Sequence, residues 1–161
     1  MKKNDNFEVR EYDPNVDYDI VSEWFEKLPK GGWEPPPKNL LENGFIIDDY
    51  CAAFLHIMRT TEGLPNFGYL WPIISDEESN IMKRDRALDF LLKSVMKHAE
   101  NSDCNFIYTT ISTPALIKRL NKRHNMIIAE DNITSLILPL GCQDNISYDS
   151  LGGPRLFPES E

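Results

Sequence analysis

Cysteine is scarce in this chain. Cys51, Cys104 and Cys142 are the three among 161 residues, odd in number, far apart and in no C-x-x-C arrangement. That excludes a disulfide framework and a thiol zinc site, so all three read as reduced thiols, with Cys51 and Cys104 in strands. Positive charge is also short: 17 Lys and Arg stand against 26 Asp and Glu, giving a net charge of -9 and a pI near 4.8. A phosphate backbone needs a basic patch, so nucleic acid is not expected as a partner. No run of about 18 apolar residues exists, which speaks against a membrane-spanning helix. Met1-Lys2-Lys3-Asn4-Asp5 lacks the apolar core of a signal peptide. The expectation is a cytoplasmic protein without membrane attachment. Ser/His/acid spacing, a metal-ligand cluster and paired thiols are missing too, against a serine hydrolase, a metalloenzyme or a redox enzyme.

What is present is material for one core. A content of 41% hydrophobic and 11% aromatic residues over this length supports a single domain, taken as residues 1–140, followed by a tail at 141–161 where Gly, Pro, Ser and acidic residues take over. The chain is organised around Phe67 to Ala99. Phe67-Gly68-Tyr69-Leu70-Trp71-Pro72-Ile73-Ile74 reads as a strand, and Ser75-Asp76-Glu77-Glu78-Ser79 as the turn after it. From Asn80 to Glu100 the stripe Leu88, Leu91, Leu92, Val95 and Ala99 predicts a helix lying on a sheet. The unpaired amides at such a helix start suit an anion. Proline cannot donate to a ladder, so pairing is expected to fail near Pro72.

Earlier in the chain, Phe7 to Tyr12 alternates as a half-buried or edge strand, and Ile20, Val21, Trp24, Phe25 and Leu28 form one face of a helix capped at Asp17. Lys30-Gly31-Gly32 stops that helix. Trp33-Glu34-Pro35-Pro36-Pro37 is a stiff loop, because three prolines fix φ and remove three donors. Its Trp33 either caps the core or touches a substrate. Gly44 to Ile47 and Cys51 to Thr60 form a hairpin around Asp48-Asp49-Tyr50. His56 lies among apolar neighbours as a satisfied core histidine, with a catalytic role as the other reading. Later, Cys104 to Ile111 is a buried strand, and Thr113-Pro114 starts a second helix. Its inner face is Leu116, Ile117 and Leu120, and its wet face Lys118, Arg119, Lys122 and Arg123, with Asn125 as a left-handed cap. Met126 to Ile128 and Ile133 to Leu138 close the domain as strands. The order predicts an α/β (α+β) fold: a mixed, mostly antiparallel sheet of about seven strands with helices on both faces.

That element order, together with Arg86-Ala87-Leu88-Asp89-Phe90-Leu91-Leu92 and Thr113-Pro114-Ala115-Leu116, resembles the GNAT family of N-acetyltransferases. The likeness is to its small divergent members from phage and bacterial genomes and spans roughly residues 7–139. It implies acetyl-CoA as acyl donor, no metal, and a small-molecule or protein amine as acceptor; a homodimer is a further expectation. By the resemblance, the arm of acetyl-CoA lies where the fourth and fifth strands part, beside Trp71, Ile73 and Ile74. The resemblance implies a glycine-rich pyrophosphate loop at Asn80 to Asp85, but no glycine stands there. Lys83, Arg84, Asp85, Arg86 and Thr113 are the remaining cofactor candidates, with Trp33 facing the acceptor.

Two readings compete for Lys83, Arg84 and Arg86. Cations in a first helical turn oppose the helix dipole, so either cofactor phosphates or Asp76, Glu77 and Glu78 compensate them. Where the family often has a tyrosine as general acid, this chain has Leu120 or Asn121, leaving Tyr108 as a weak substitute. Glu34, as base, and Tyr69, holding a water, are the candidates on the acceptor side; a solvated glutamate and a core tyrosine are the alternatives. Two functions follow: an N-acyltransferase working by direct attack of an amine, or a GNAT-like interaction protein without catalysis, whose acidic surface engages a basic partner.

Overall fold

A computed structural model describes residues 6–29, 31–130 and 135–139. The expected tail at 141–161 lies outside the described residues. The elements are β1 (Arg10–Glu11), α1 (Tyr18–Glu26), a 3-10 turn (Lys38–Leu40), β2 (Gly44–Ile47), β3 (Cys51–Met58), β4 (Phe67–Ser75), α2 (Ile81–Asn101), β5 (Phe106–Thr110), α3 (Pro114–His124), β6 (Ile127–Glu130) and β7 (Ser135–Pro139). They build one mixed sheet in the order β1-β2-β3-β4-β5-β7-β6, antiparallel throughout except for the β4–β5 pair.

Each face of the sheet carries its own apolar layer. Cys51, Ala53 and Leu55 point to one side, where Ala87, Leu91, Leu92, Val95 and Ala99 of α2 and Leu120 of α3 bury them. Ala52 and Phe54 point to the other, against Val21, Trp24 and Phe25 of α1. This is the alternation expected of a strand buried on both faces. Gly44 is required beside it, since a Cβ there would meet Phe54 Cδ1 at 2.5 Å.

Several local expectations change. The first strand shrinks to Arg10–Glu11, and Cys104 precedes β5 rather than lying within it. The helix α1 ends at Glu26, before the glycines; Gly32 and Trp33 then donate back to the carbonyls of Leu28 and Phe25, each at 2.9 Å. Ile20 turns to solvent. Asp17 occupies the N-cap position of α1, but its side chain makes no cap bond. Its carboxylate instead takes two guanidinium bonds from Arg10, at 2.7 and 2.8 Å, which hold it below the ordinary carboxylate range. Arginine provides a fork that a helix amide cannot match. Asn125 adopts the left-handed cap, with φ of 56°.

The register of β4 carries the main consequence. Leu55 faces Leu70 and Ala53 faces Ile73, so both Trp71 and Pro72 stand opposite Phe54. This is a bulge with one extra residue, a place where a proline fits a sheet. It also turns the strand over. Leu70 and Ile73 both meet the α2 layer, three residues apart, while Ile74 joins the α1 layer.

Candidate functional site

β4 and β5 run parallel and paired only through Phe67–Phe106, Gly68–Ile107 and Tyr69–Tyr108. Beyond them the strands part, as expected near Pro72. Side chains satisfy the carbonyls at the fork. The buried Thr109 Oγ1 donates to Leu70 O at 2.6 Å. His56 Nε2 lies 3.1 Å from Trp71 O, so that nitrogen is the donor. His56 is therefore a satisfied histidine, with its partner on the bulge. Leaving such a carbonyl dry and unpaired costs about 1–3 kcal/mol, so these two side chains hold the fork in shape.

The parted strands open a cleft of about 770 Å³, with the starts of α2 and α3 on one side and the proline loop on the other. Trp71, Pro72, Ile73 and Ile74 form one wall, and Thr109 to Thr113 the facing wall. Trp33, which is 58% exposed, and Glu34 stand at the lip and do not cap the core. Among the cofactor candidates, Trp71, Ile73, Ile74, Arg84, Asp85 and Thr113 line this space. Lys83 and Arg86 do not. Arg86 Nε donates to Met82 O at 3.3 Å, and Lys83 contributes its backbone amide to the Asn80 side-chain cap at 3.1 Å. Tyr69 and Tyr108 stand outside the lining as well. Their rings stack at 5.9 Å, and the Tyr69 hydroxyl shares a 3.0 Å hydrogen bond with Thr110 Oγ1.

The acidic turn does compensate one of the cations at the helix start. Arg84 Nη1 donates to Asp76 O at 2.9 Å and lies 3.2 Å from Glu77 Oε2. Glu78 pairs instead with Lys27, the C-cap residue just after α1, at 2.8 Å.

Helical periodicity misassigned Arg119. It sits on the face read as wet, yet its side chain is only 14% exposed and lines the cleft. Arg119 bonds Asp89 at 2.6 Å and also pairs with Asp85, while Arg123 bonds the same two carboxylates at 3.0 and 2.6 Å. His124, buried at the end of α3, meets Asp89 at 3.1 Å. Burial raises the pKa of both carboxyls, but Arg123 and Arg119 outweigh it and hold both below the ordinary range. Burial lowers the His124 value and keeps the ring neutral, against the pull of Asp89. A five-residue clamp thus ties α3 to α2 beside the cleft. Its partners lie some thirty residues apart in sequence, so only the Asp85/Asp89 pair, at helical i, i+4 spacing, could have signalled a second charged face.

Chemistry elsewhere is quiet. Burial pushes the Cys51 thiol up to about 12, which makes it a core residue and no nucleophile. Leu120, at the position where the resemblance suggests a phenol, is fully buried. Among the described residues no cluster of His, Cys, Asp or Glu could hold a metal, and no helix is long and apolar enough to cross a membrane.

Neither family models nor curated proteins match the chain. Solved structures do. A chain of the NatC complex bound to Gag peptide and CoA aligns over 84% of this chain and 99% of its own, with a TM-score of 0.61 at 11% identity. A putative acetyltransferase, yncA, from Salmonella typhimurium with acetyl-CoA aligns over 84% and 94%, with a TM-score of 0.60 at 12% identity. The ribosomal-protein-S18-alanine N-acetyltransferase from Escherichia coli aligns over 88% and 99%, at 0.57 and 12%. The likeness at these identities is one of fold, and the fold is that of the GNAT N-acetyltransferases.

Proposed function

We propose that this protein is an N-acyltransferase that takes its acyl group from acetyl-CoA and passes it to an amine. One observation carries the reading: β4 keeps its β3 edge paired while its β5 edge stands open from Leu70 onward, beside a cleft walled by α2 and α3. An extended strand edge without a neighbour is a template for an extended, amide-bearing ligand. The pantetheine arm of acetyl-CoA is such a ligand. Trp71, Ile73 and Ile74 are the residues that hold it, with Thr113 and Leu116 across the gap. When bound, acetyl-CoA supplies an acyl group activated as a thioester.

The chain's own contribution is placement. Trp33 and the prolines after it form a lip against which an acceptor packs, and the exposed Glu34 is positioned there to take a proton from an ammonium. Leu120 has no proton to give, so rate enhancement rests on proximity and orientation. Calorimetry with acetyl-CoA on the full chain tests this, and micromolar binding is the expected result.

A second reading is favoured by Ile81 and Met82, which stand exposed on the first turn of α2. In that reading the fold has lost catalysis and this turn, with the acidic surface, engages a basic partner protein. No heat signal at millimolar acetyl-CoA would leave that reading in place of the first.

A further inference from the structure

The net negative charge conceals an uneven distribution. Of the 17 Lys and Arg and 26 Asp and Glu in the chain, α2 and α3 together hold nine and three, which leaves eight against twenty-three elsewhere. Both helices cover the same face of the sheet, while α1, with Asp19, Glu23 and Glu26, covers the other. The three acids of α2 are already engaged. Arg119 and Arg123 hold Asp85 and Asp89. Glu100 pairs with Lys97 at 3.0 Å, but both side chains are well exposed, and such a pair is weak. The basic excess therefore faces water.

These cations stand in line. At 3.6 residues per turn, Lys83, Arg86, Phe90, Lys93 and Lys97 fall within about 80° of one another, on the side of α2 away from the buried Leu91, Val95 and Ala99. All five are exposed. At 1.5 Å per residue the row is about 21 Å long. Lys118 and Lys122 of α3, exposed as well, stand on that helix's side away from Leu120. Phe90 interrupts the row with a ring that is 45% exposed and is backed by Phe7 at 6.2 Å, which in turn meets Tyr50 at 5.8 Å. Beside it, Phe90, Lys93, Ser94, Lys97, His98 and Asn101 line a shallow groove of about 410 Å³. The His98 ring is itself set against Phe45 at 4.9 Å.

Cations spaced along a groove, with a supported ring among them, suit a single-stranded nucleic acid, because the cations follow the phosphates and the ring stacks on a base. An acidic polypeptide would pair with the lysines and leave the face of the ring bare. We propose that the outer face of α2, continued by Lys118 and Lys122 of α3, binds a single-stranded nucleic acid, with Lys83, Arg86, Lys93 and Lys97 on the phosphates and Phe90 under a base. The distribution of charge overrides the expectation drawn from its total: the acids of α1 lie across the sheet, and charges more than about 8 Å away are largely screened at physiological salt. None of these residues lines the cleft, so the surface is independent of the acyl-transfer reading.

The test is fluorescence anisotropy of the full chain with a labelled oligothymidylate of about 15 nucleotides, titrated at salt concentrations from about 50 to 200 mM. The parent should bind at low salt and weaken as salt rises. The double variant Lys93→Gln, Lys97→Gln should reduce the slope of log affinity against log salt by about 1.4, at about 0.7 per charge removed. Phe90→Ala should weaken binding about tenfold with that slope unchanged, and Phe90→Tyr should bind as the parent does. The two lysines are exposed, so their variant tests the row even where loss of the ring unfolds the chain. Excess CoA should leave the oligonucleotide bound. Absence of binding at about 50 mM salt, or an unchanged slope in the lysine variant, would overturn the proposal. Polyglutamate competing as strongly per charge as the oligonucleotide, with Phe90→Ala without effect, would replace it with an acidic protein partner. Displacement by CoA would put the strand in the cleft and overturn it as well.

Discussion

β4 has two edges that behave in opposite ways. Toward β3 it is paired from Phe67 to Ser75, interrupted only at the bulge, and sealed between two apolar layers. Toward β5 it is paired over three residues and then open. One strand therefore serves as a wall on one side and a rim on the other. The paired edge fixes where the open edge lies, and rigidity next to a gap is what a site that works by placement needs.

Substitutions can break this contrast, and the largest effect should fall on the paired edge. Phe54, fully buried opposite Trp71 and Pro72, anchors the bulge; Phe54→Ala should cost about 3–5 kcal/mol by urea unfolding. A loss under about 1 kcal/mol would mean that the paired edge is not what holds β4. At the fork, Thr109→Val strands the Leu70 carbonyl and should cost about 1–3 kcal/mol, with acetyl-CoA affinity falling as the fork loosens. Equal stability of variant and parent would mean that Thr109 does not secure the split.

Acid sharpens the contrast on the helix side of the cleft. Asp85 and Asp89 bind protons less readily in the fold than in the unfolded chain, so their contribution is complete above the ordinary value of 3.8 and drains away as pH falls below it. The fold also keeps His124 neutral, so its contribution is complete above 6.5 and is lost as pH falls from there. Urea midpoints should thus drop in two steps on acidification, and Asp89→Asn should flatten the lower one. A midpoint that stays level from pH 7 to 3 would rule the clamp out as a stabilising element. The smallest structural effect belongs to Trp33→Ala: stability should move by under about 0.5 kcal/mol, while KM for the amine acceptor rises and binding of acetyl-CoA holds. Parallel losses in both ligands would put Trp33 on the donor side of the cleft.

Much of this architecture was legible because it depends on local chemistry. Pro72 announced the fork, since a residue without an N–H cannot serve a ladder. Thr113-Pro114 and Asn125 bounded α3 by the conformations they favour. The sides of β3 followed from simple alternation. Features that depend on distant partners could not be read this way. Arg119 looked solvated because its two carboxylates sit a whole strand and helix away, and Asp17 looked like a cap because nothing local disclosed Arg10. Tyr69 and Tyr108 drew attention as phenols near the fork, but they belong to the last paired rung below it.

The extra residue at Trp71 and Pro72 also limits how this protein can change. Removing either would restore strict two-residue alternation, and every side chain from there to Ser75 would exchange sheet faces. Ile73 would leave the layer under the long helix and Ile74 would enter it, so editing the binding space by deletion would rewrite the interior. Variation that preserves the fold must therefore come from swapping side chains along the rim, with the residue count of this strand left as it is.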